Sequence, residues 1–178
     1  MVKVLETERL SLHHLTEDDA EFVLRLLNEP SFLRYIGDKK VRTLDDARAY
    51  VSGGPVQSYR DNGFGLYRVE RKQDGMPLGI CGLIKREGLP DPDVGFAFFP
   101  EYWNQGYALE SAAAVMTFAR DTLGMKRILA ITSPDNEASE KLLKKIGLRF
   151  ERLTRLSDDA DEVKLFTTST LRNAADYR

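Results

Sequence analysis

The chain has 178 residues, 42% hydrophobic and 30% charged, with a formal net charge of −2. That length suits one domain over 1–178 with a single substantial core, and the composition excludes a disordered or fibrous chain. The charge balance gives no global field for nucleic acid or an anionic membrane, no apolar run approaches bilayer thickness, no signal-peptide core opens the chain, and Cys81 alone makes neither an internal disulfide nor a cysteine-rich metal cluster. A cytoplasmic location, with no metal, is the expectation.

In chain order, Leu10-Ser11-Leu12-His13-His14-Leu15 alternates in part and predicts a strand near residues 8–14. Thr16-Glu17-Asp18-Asp19 supplies an N-cap and first-turn acids for a helix whose stripe is Ala20, Val23, Leu24 and Leu27. Pro30 and Gly37 bound a short helical piece, and Thr43 caps another helix carrying Leu44, Ala47, Tyr50 and Val51. Phe64 to Val69 and Pro77 to Lys85 read as the arms of a hairpin around Asp74-Gly75. Asp93-Val94-Gly95-Phe96-Ala97-Phe98-Phe99 reads as a strand, and Leu109 to Leu123 as a helix ended by Gly124. Ile128 to Ile131 is a short apolar strand. Pro134-Asp135-Asn136 opens a last helix, with Leu142, Leu143 and Ile146 inside and Gly147 as its stop. Leu148 to Leu153 and Val163 to Thr168 are closing strands. This order implies an α/β (α+β) chain, a mixed sheet with helices on both faces.

The chemistry concentrates between the Asp93 strand and the Leu109 helix. Trp103-Asn104-Gln105-Gly106-Tyr107-Ala108 is a short turn with one glycine, opening a helix. Backbone N–H groups at a positive helix end form an anion site, and glycine lets the backbone come close to a phosphate. The turn lacks the Gly-Lys-Ser/Thr of a nucleotide-hydrolysing loop and the three spaced glycines of a dinucleotide fold. A plain strand–helix connection is the alternative for the turn taken alone.

The turn fits the pattern Gln/Arg-x-x-Gly-x-Gly/Ala, and Glu101 through Ser111 resembles the same region of the GNAT superfamily of N-acetyltransferases, in its RimJ/RimL branch of ribosomal-protein-alanine acetyltransferases. Thr7-Glu8-Arg9-Leu10, Asp93-Val94-Gly95-Phe96, and Asn136-Glu137-Ala138-Ser139 through Lys145-Ile146-Gly147-Leu148 resemble further pieces in the same order. The resemblance covers residues 5 to about 168. It implies a mostly antiparallel sheet of six to seven strands. It also implies acetyl-CoA as co-substrate, a primary amine as acceptor (a protein N-terminus or a small molecule), and a homodimer by analogy. A non-catalytic acyl-CoA-binding module with the same fold is the alternative.

Under that resemblance, the N–H groups of Asn104, Gln105, Gly106, Tyr107, Ala108 and Leu109 hold the pyrophosphate. A splay of strands near Phe98 receives the pantetheine, and Asn136 bonds that arm. Asp93 is the candidate base, with a capping role beside Asp91 as its other reading; Glu101 is the weaker candidate. Leu143 stands where relatives place a tyrosine that protonates the leaving thiolate, which leaves Ser139, directly or through water, as the candidate donor. Cys81 reads as core, and His13 and His14, adjacent on a strand, face opposite ways and make no metal pair.

Overall fold

Period-two patterning organises the molecule around one sheet. The computed structural model describes residues 1–168; residues 169–178, part of the expected single domain, lie outside the described residues. Eight strands run in the order β1-β2-β3-β4-β5-β6-β8-β7. They are β1 Lys3–Glu6, β2 Leu10–His14, β3 Leu66–Arg71, β4 Met76–Ile84, β5 Asp93–Phe98, β6 Leu129–Thr132, β7 Arg149–Thr154 and β8 Val163–Thr167. The fold class agrees with the sequence reading, but the sheet exceeds the expected six to seven strands. The added strand is β1, whose apolar signal is only Val4 and Leu5 between two exposed charged residues. An edge strand this short carries too few residues to show a period.

The helices are α1 Ala20–Leu27, α2 Pro30–Tyr35, α3 Leu44–Val51, α4 Gln57–Asn62, α5 Tyr107–Asp121 and α6 Glu137–Lys145. Thr43 caps α3 in a capping box with Asp46, its hydroxyl accepting the Asp46 N–H at 3.0 Å. Beyond Val51 the chain does not turn away. Ser52–Val56 continues as a π-helical run into α4, which ends at Gly63 with φ 76°. Gly53-Gly54-Pro55 reads as a breaker in sequence, which is why this continuation was not expected.

Side chains alternate across the sheet into two cores. Tyr67 and Val69 of β3, Cys81 and Leu83 of β4, and Val94 of β5 join Ala112, Val115 and Met116 of α5 and Leu143 of α6. On the other face, Ile80 of β4 meets Val23, Leu26 and Leu27 of α1, Phe32 of α2, and Ala47 and Val51 of α3. The β3–β4 register slips between Val69 and Glu70, so Leu78 joins the α5 face although it is two residues from Ile80. Burial pushes the Cys81 thiol up to about 12, which keeps it an inert thiol in the core.

Candidate active site

Among the described residues, every strand pairing but one is antiparallel. β5 and β6 run parallel and share a single register pair, Asp93 with Leu129. Beyond it the strands part, so from Gly95 to Phe98 the edge of β5 toward β6 has no strand partner among the described residues. This is the expected splay. It opens into a cavity of about 1390 Å³. The cavity wall includes Phe98 on β5 and Asn104, Gly106, Tyr107, Ala108 and Leu109 of the following turn and helix. Asn136 and Ser139 line it from α6, and Asp93 lines it where the strands meet.

The turn is built to leave donors free. Asn104 and Gly106 both sit in the left-handed region, at φ 59° and 82°. Gly106 is the N-cap of α5 and offers no side chain to cap it. The Glu110 N–H is the first to reach a helix carbonyl, that of Gly106, at 3.0 Å. Tyr107, Ala108 and Leu109 precede it, so their N–H groups have no intrahelical acceptor and gather at the positive end of the dipole. Gln105 is the one pyrophosphate candidate that does not line the cavity, and the weaker base candidate, Glu101, is also off it, paired with Arg25 at 2.8 Å. The Gln105 side-chain amide donates to the Glu101 carbonyl at 3.1 Å.

The start of the chain clamps this turn. Arg9 donates its backbone N–H and Nε to the two Glu110 carboxylate oxygens, at 2.9 and 2.7 Å, and its Nη1 to the Gln105 carbonyl at 2.9 Å. Its guanidinium lies 4.4 Å above the Tyr107 ring centre. The Thr7 hydroxyl donates to Glu110 at 2.6 Å. Thr7-Glu8-Arg9-Leu10 thus works as a brace for the turn, a role sequence reasoning did not see. From the other side, the Trp103 indole N–H donates to the Phe98 carbonyl at 2.9 Å and fixes the end of β5.

Three polar groups face the cavity with capacity to spare. Asn136 caps α6 by accepting the Ser139 N–H at 3.2 Å, and its Nδ2 has no partner among the described residues. The Ser139 hydroxyl also has none. Thr132, at the end of β6, is buried with its Oγ1 unpartnered and lines the same cavity. Sequence reasoning passed over Thr132; its only signal was a polar residue ending an apolar strand. Leu143 is buried in the core, with no hydroxyl to offer.

Asp93 is 1% exposed, and Arg86 donates Nε to its two oxygens at 2.9 and 3.2 Å. Burial pushes its carboxyl up to about 6, with the Arg86 charge pulling the other way. Its side chain is therefore an ion-pair partner rather than a loop cap. Arg86 was missed because nothing in its loop is patterned. Among the described residues, no group of three or more His, Cys, Asp or Glu side chains is placed to hold a metal, and no helix is long and apolar enough to cross a membrane.

The family model described as an acetyltransferase (GNAT) domain matches residues 9–149. The chain belongs to the GNAT acetyltransferase family. It is an acetyltransferase, and the family uses acetyl-CoA. The uncharacterized N-acetyltransferase YoaA of Bacillus subtilis is 29% identical over 157 residues, covering 87% of this chain and 88% of that protein. A GNAT-family acetyltransferase from Bacillus anthracis has the same fold, with a TM-score of 0.74, 24% identity, and 92% and 96% of the two chains covered. RimL, a ribosomal L7/L12 α-N-protein acetyltransferase solved in complex with CoA, superposes with a TM-score of 0.79 at 16% identity, covering 93% of this chain and 96% of its own.

Proposed function

We propose that this GNAT enzyme, a single domain, takes the acetyl group of acetyl-CoA and passes it directly to a primary amine. The parted β5–β6 pair opening beside the uncapped start of α5 carries the reading. A phosphate anion at the N–H groups of residues 104–109 gains several aligned donors and the helix dipole without any lysine. The residues fit CoA in two further ways. The unpartnered Thr132 hydroxyl and the Asn136 Nδ2 are donors for the amide carbonyls of the pantetheine arm. The unpaired edge of β5 up to Phe98 supplies backbone groups for the same arm and N–H donors for the thioester carbonyl.

The chemistry then follows from charge. The amine must be neutral to attack, and ordinary alkylamines hold their proton until about pH 10. Asp93, ionised above about pH 6, accepts that proton at a carboxylate oxygen, directly or through water. The tetrahedral oxyanion is met by β5 N–H groups, each worth about 3 kcal/mol in the transition state. When the C–S bond breaks, the thiolate takes a proton by way of the Ser139 hydroxyl, which lines the cavity. The acceptor class includes protein N-termini, as in the RimJ/RimL branch, and the working compartment we assign is the cytoplasm, with a homodimer as the assembly.

Gly106→Val tests the cradle. At φ 82° a branched side chain is strained, and its Cβ would lie 3.1 Å from the Arg9 Nη2. The variant is expected to lose acetyl-CoA binding by titration calorimetry while its ligand-free melting curve still reports a folded protein. Unchanged affinity in the folded variant overturns the assignment.

A further inference from the structure

The cavity wall also carries cationic groups that the acetyl transfer does not use. Arg86 engages Asp93 through Nε alone, and neither of its Nη groups has a hydrogen-bond partner among the described residues. Lys39, between α2 and α3, lines the same cavity with no ion pair or hydrogen bond among the described residues. Partial burial, with the Arg86 charge adding to it, holds its ammonium below the ordinary lysine range. Of the nearby acids, Asp93 is paired with Arg86 and Glu29 faces Arg25 at 3.9 Å, while Asp61 accepts only the neutral Gln57 amide at 2.9 Å and keeps its charge. What Lys39 and Arg86 offer is therefore unused donors, the Lys39 ammonium and the two Arg86 Nη groups, the latter a fork for a planar or tetrahedral anion.

We propose that the acceptor is a primary amine that also bears an anionic group, a carboxylate or a phosphate monoester, bound by Lys39 and the Arg86 Nη groups while its amine faces Asp93. This rests on the acetyl-transfer reading above. It discriminates against polyamines, whose second ammonium would be set against Lys39 and Arg86. It also explains why the base sits in an ion pair. Arg86 holds Asp93 on one side and the acceptor's anion on the other, which fixes the amine between the carboxylate and the thioester.

The test is a matched amine panel with acetyl-CoA and the full chain, followed by thiol release. It compares α-amino acids and amino-alkyl phosphates with the corresponding amides and alcohols, and with spermidine. Anionic acceptors are expected to exceed their neutral partners by at least about tenfold in kcat/KM, and Lys39→Gln to cut that preference by about tenfold through KM. The carboxylate and phosphate arms tell the two anions apart. Neutral amines or spermidine turned over as well as the anionic ones overturn the anion site and leave the acetyl-transfer reading intact. So does a preference unmoved by Lys39→Gln. Release of CoA with no amine in the panel, together with no rise in melting temperature on adding acetyl-CoA, overturns both. Lys39 lies on an exposed segment, so its substitution tests binding without unfolding the protein.

Discussion

Asp93 shows how one residue's surroundings set the working range of a reaction. Its carboxyl is buried where β5 meets β6, and burial outweighs the Arg86 guanidinium to raise it to about 6. A carboxylate of ordinary strength is a poor acceptor for an ammonium proton; one raised toward neutrality is better matched. Below about pH 6 the group is protonated and the base is lost. The pH profile of kcat is therefore expected to carry an acid limb near pH 6. Asp93→Asn is expected to lower kcat at every pH and to erase that limb. A limb of the same position in the variant would assign the base to another group. The variant also leaves Arg86 without its carboxylate, so a KM measured for each substrate separates loss of the base from disturbance of the acceptor site.

Among the elements, the brace from the first strands to α5 governs how well the turn holds its shape. Glu110 is the node: it accepts from the Thr7 hydroxyl, the Arg9 N–H and the Arg9 Nε, and Arg9 also grips the Gln105 carbonyl. Arg9→Ala removes two side-chain bonds and the stacking on Tyr107 but keeps the backbone bond. The pair is part-exposed, so stability is expected to fall by only about 1 kcal/mol. The larger expected effect is a several-fold rise in KM for acetyl-CoA with kcat little changed, read by steady-state kinetics. An unchanged KM would show the turn to be rigid without Arg9. How much of this was legible follows from where each signal lies. The strand, turn and helix from Asp93 to Asp121 were readable because period two gives way to period 3.6 across one glycine. The helix begins at Tyr107 rather than Leu109, since the turn's own residues enter its first turn. The Arg9 brace, the Arg86–Asp93 pair and Lys39 were not readable. Each joins segments that only the closed sheet brings together, and no local pattern marks them. Ser52–Val56 was unreadable for the opposite reason: its local signal, Gly-Gly-Pro, argues against the helix that packing imposes.

At the scale of the whole molecule, two titrations on the sheet act on stability with opposite signs. Asp93 is held above its ordinary 3.8, so the folded protein binds that proton more tightly and its share of stability grows as pH falls through about 6 toward 3.8. His14 is the reverse. It lies on β2 with its ring stacked on Tyr59, centroids 3.9 Å apart and planes 10° off parallel, and 5.9 Å from Tyr67. Desolvation lowers its pKa below 6.5, so the chain takes up a proton there on unfolding and stability is lost as pH drops through 6.5. His13, on the opposite side of the strand, is also lowered, chiefly by burial, with Glu70 opposing and Arg68 and Lys3 reinforcing. His14→Phe keeps an aromatic ring in the Tyr59–Tyr67 stack and removes its titration. Melting temperature measured from pH 8 to pH 5 is therefore expected to fall less steeply in His14→Phe than in the parent, with the two curves converging above pH 7. Parallel curves would show that the His14 ring is not the group resisting protonation. The same scan on Asp93→Asn is expected to steepen the acid fall, because that variant lacks the carboxyl whose proton uptake favours the fold.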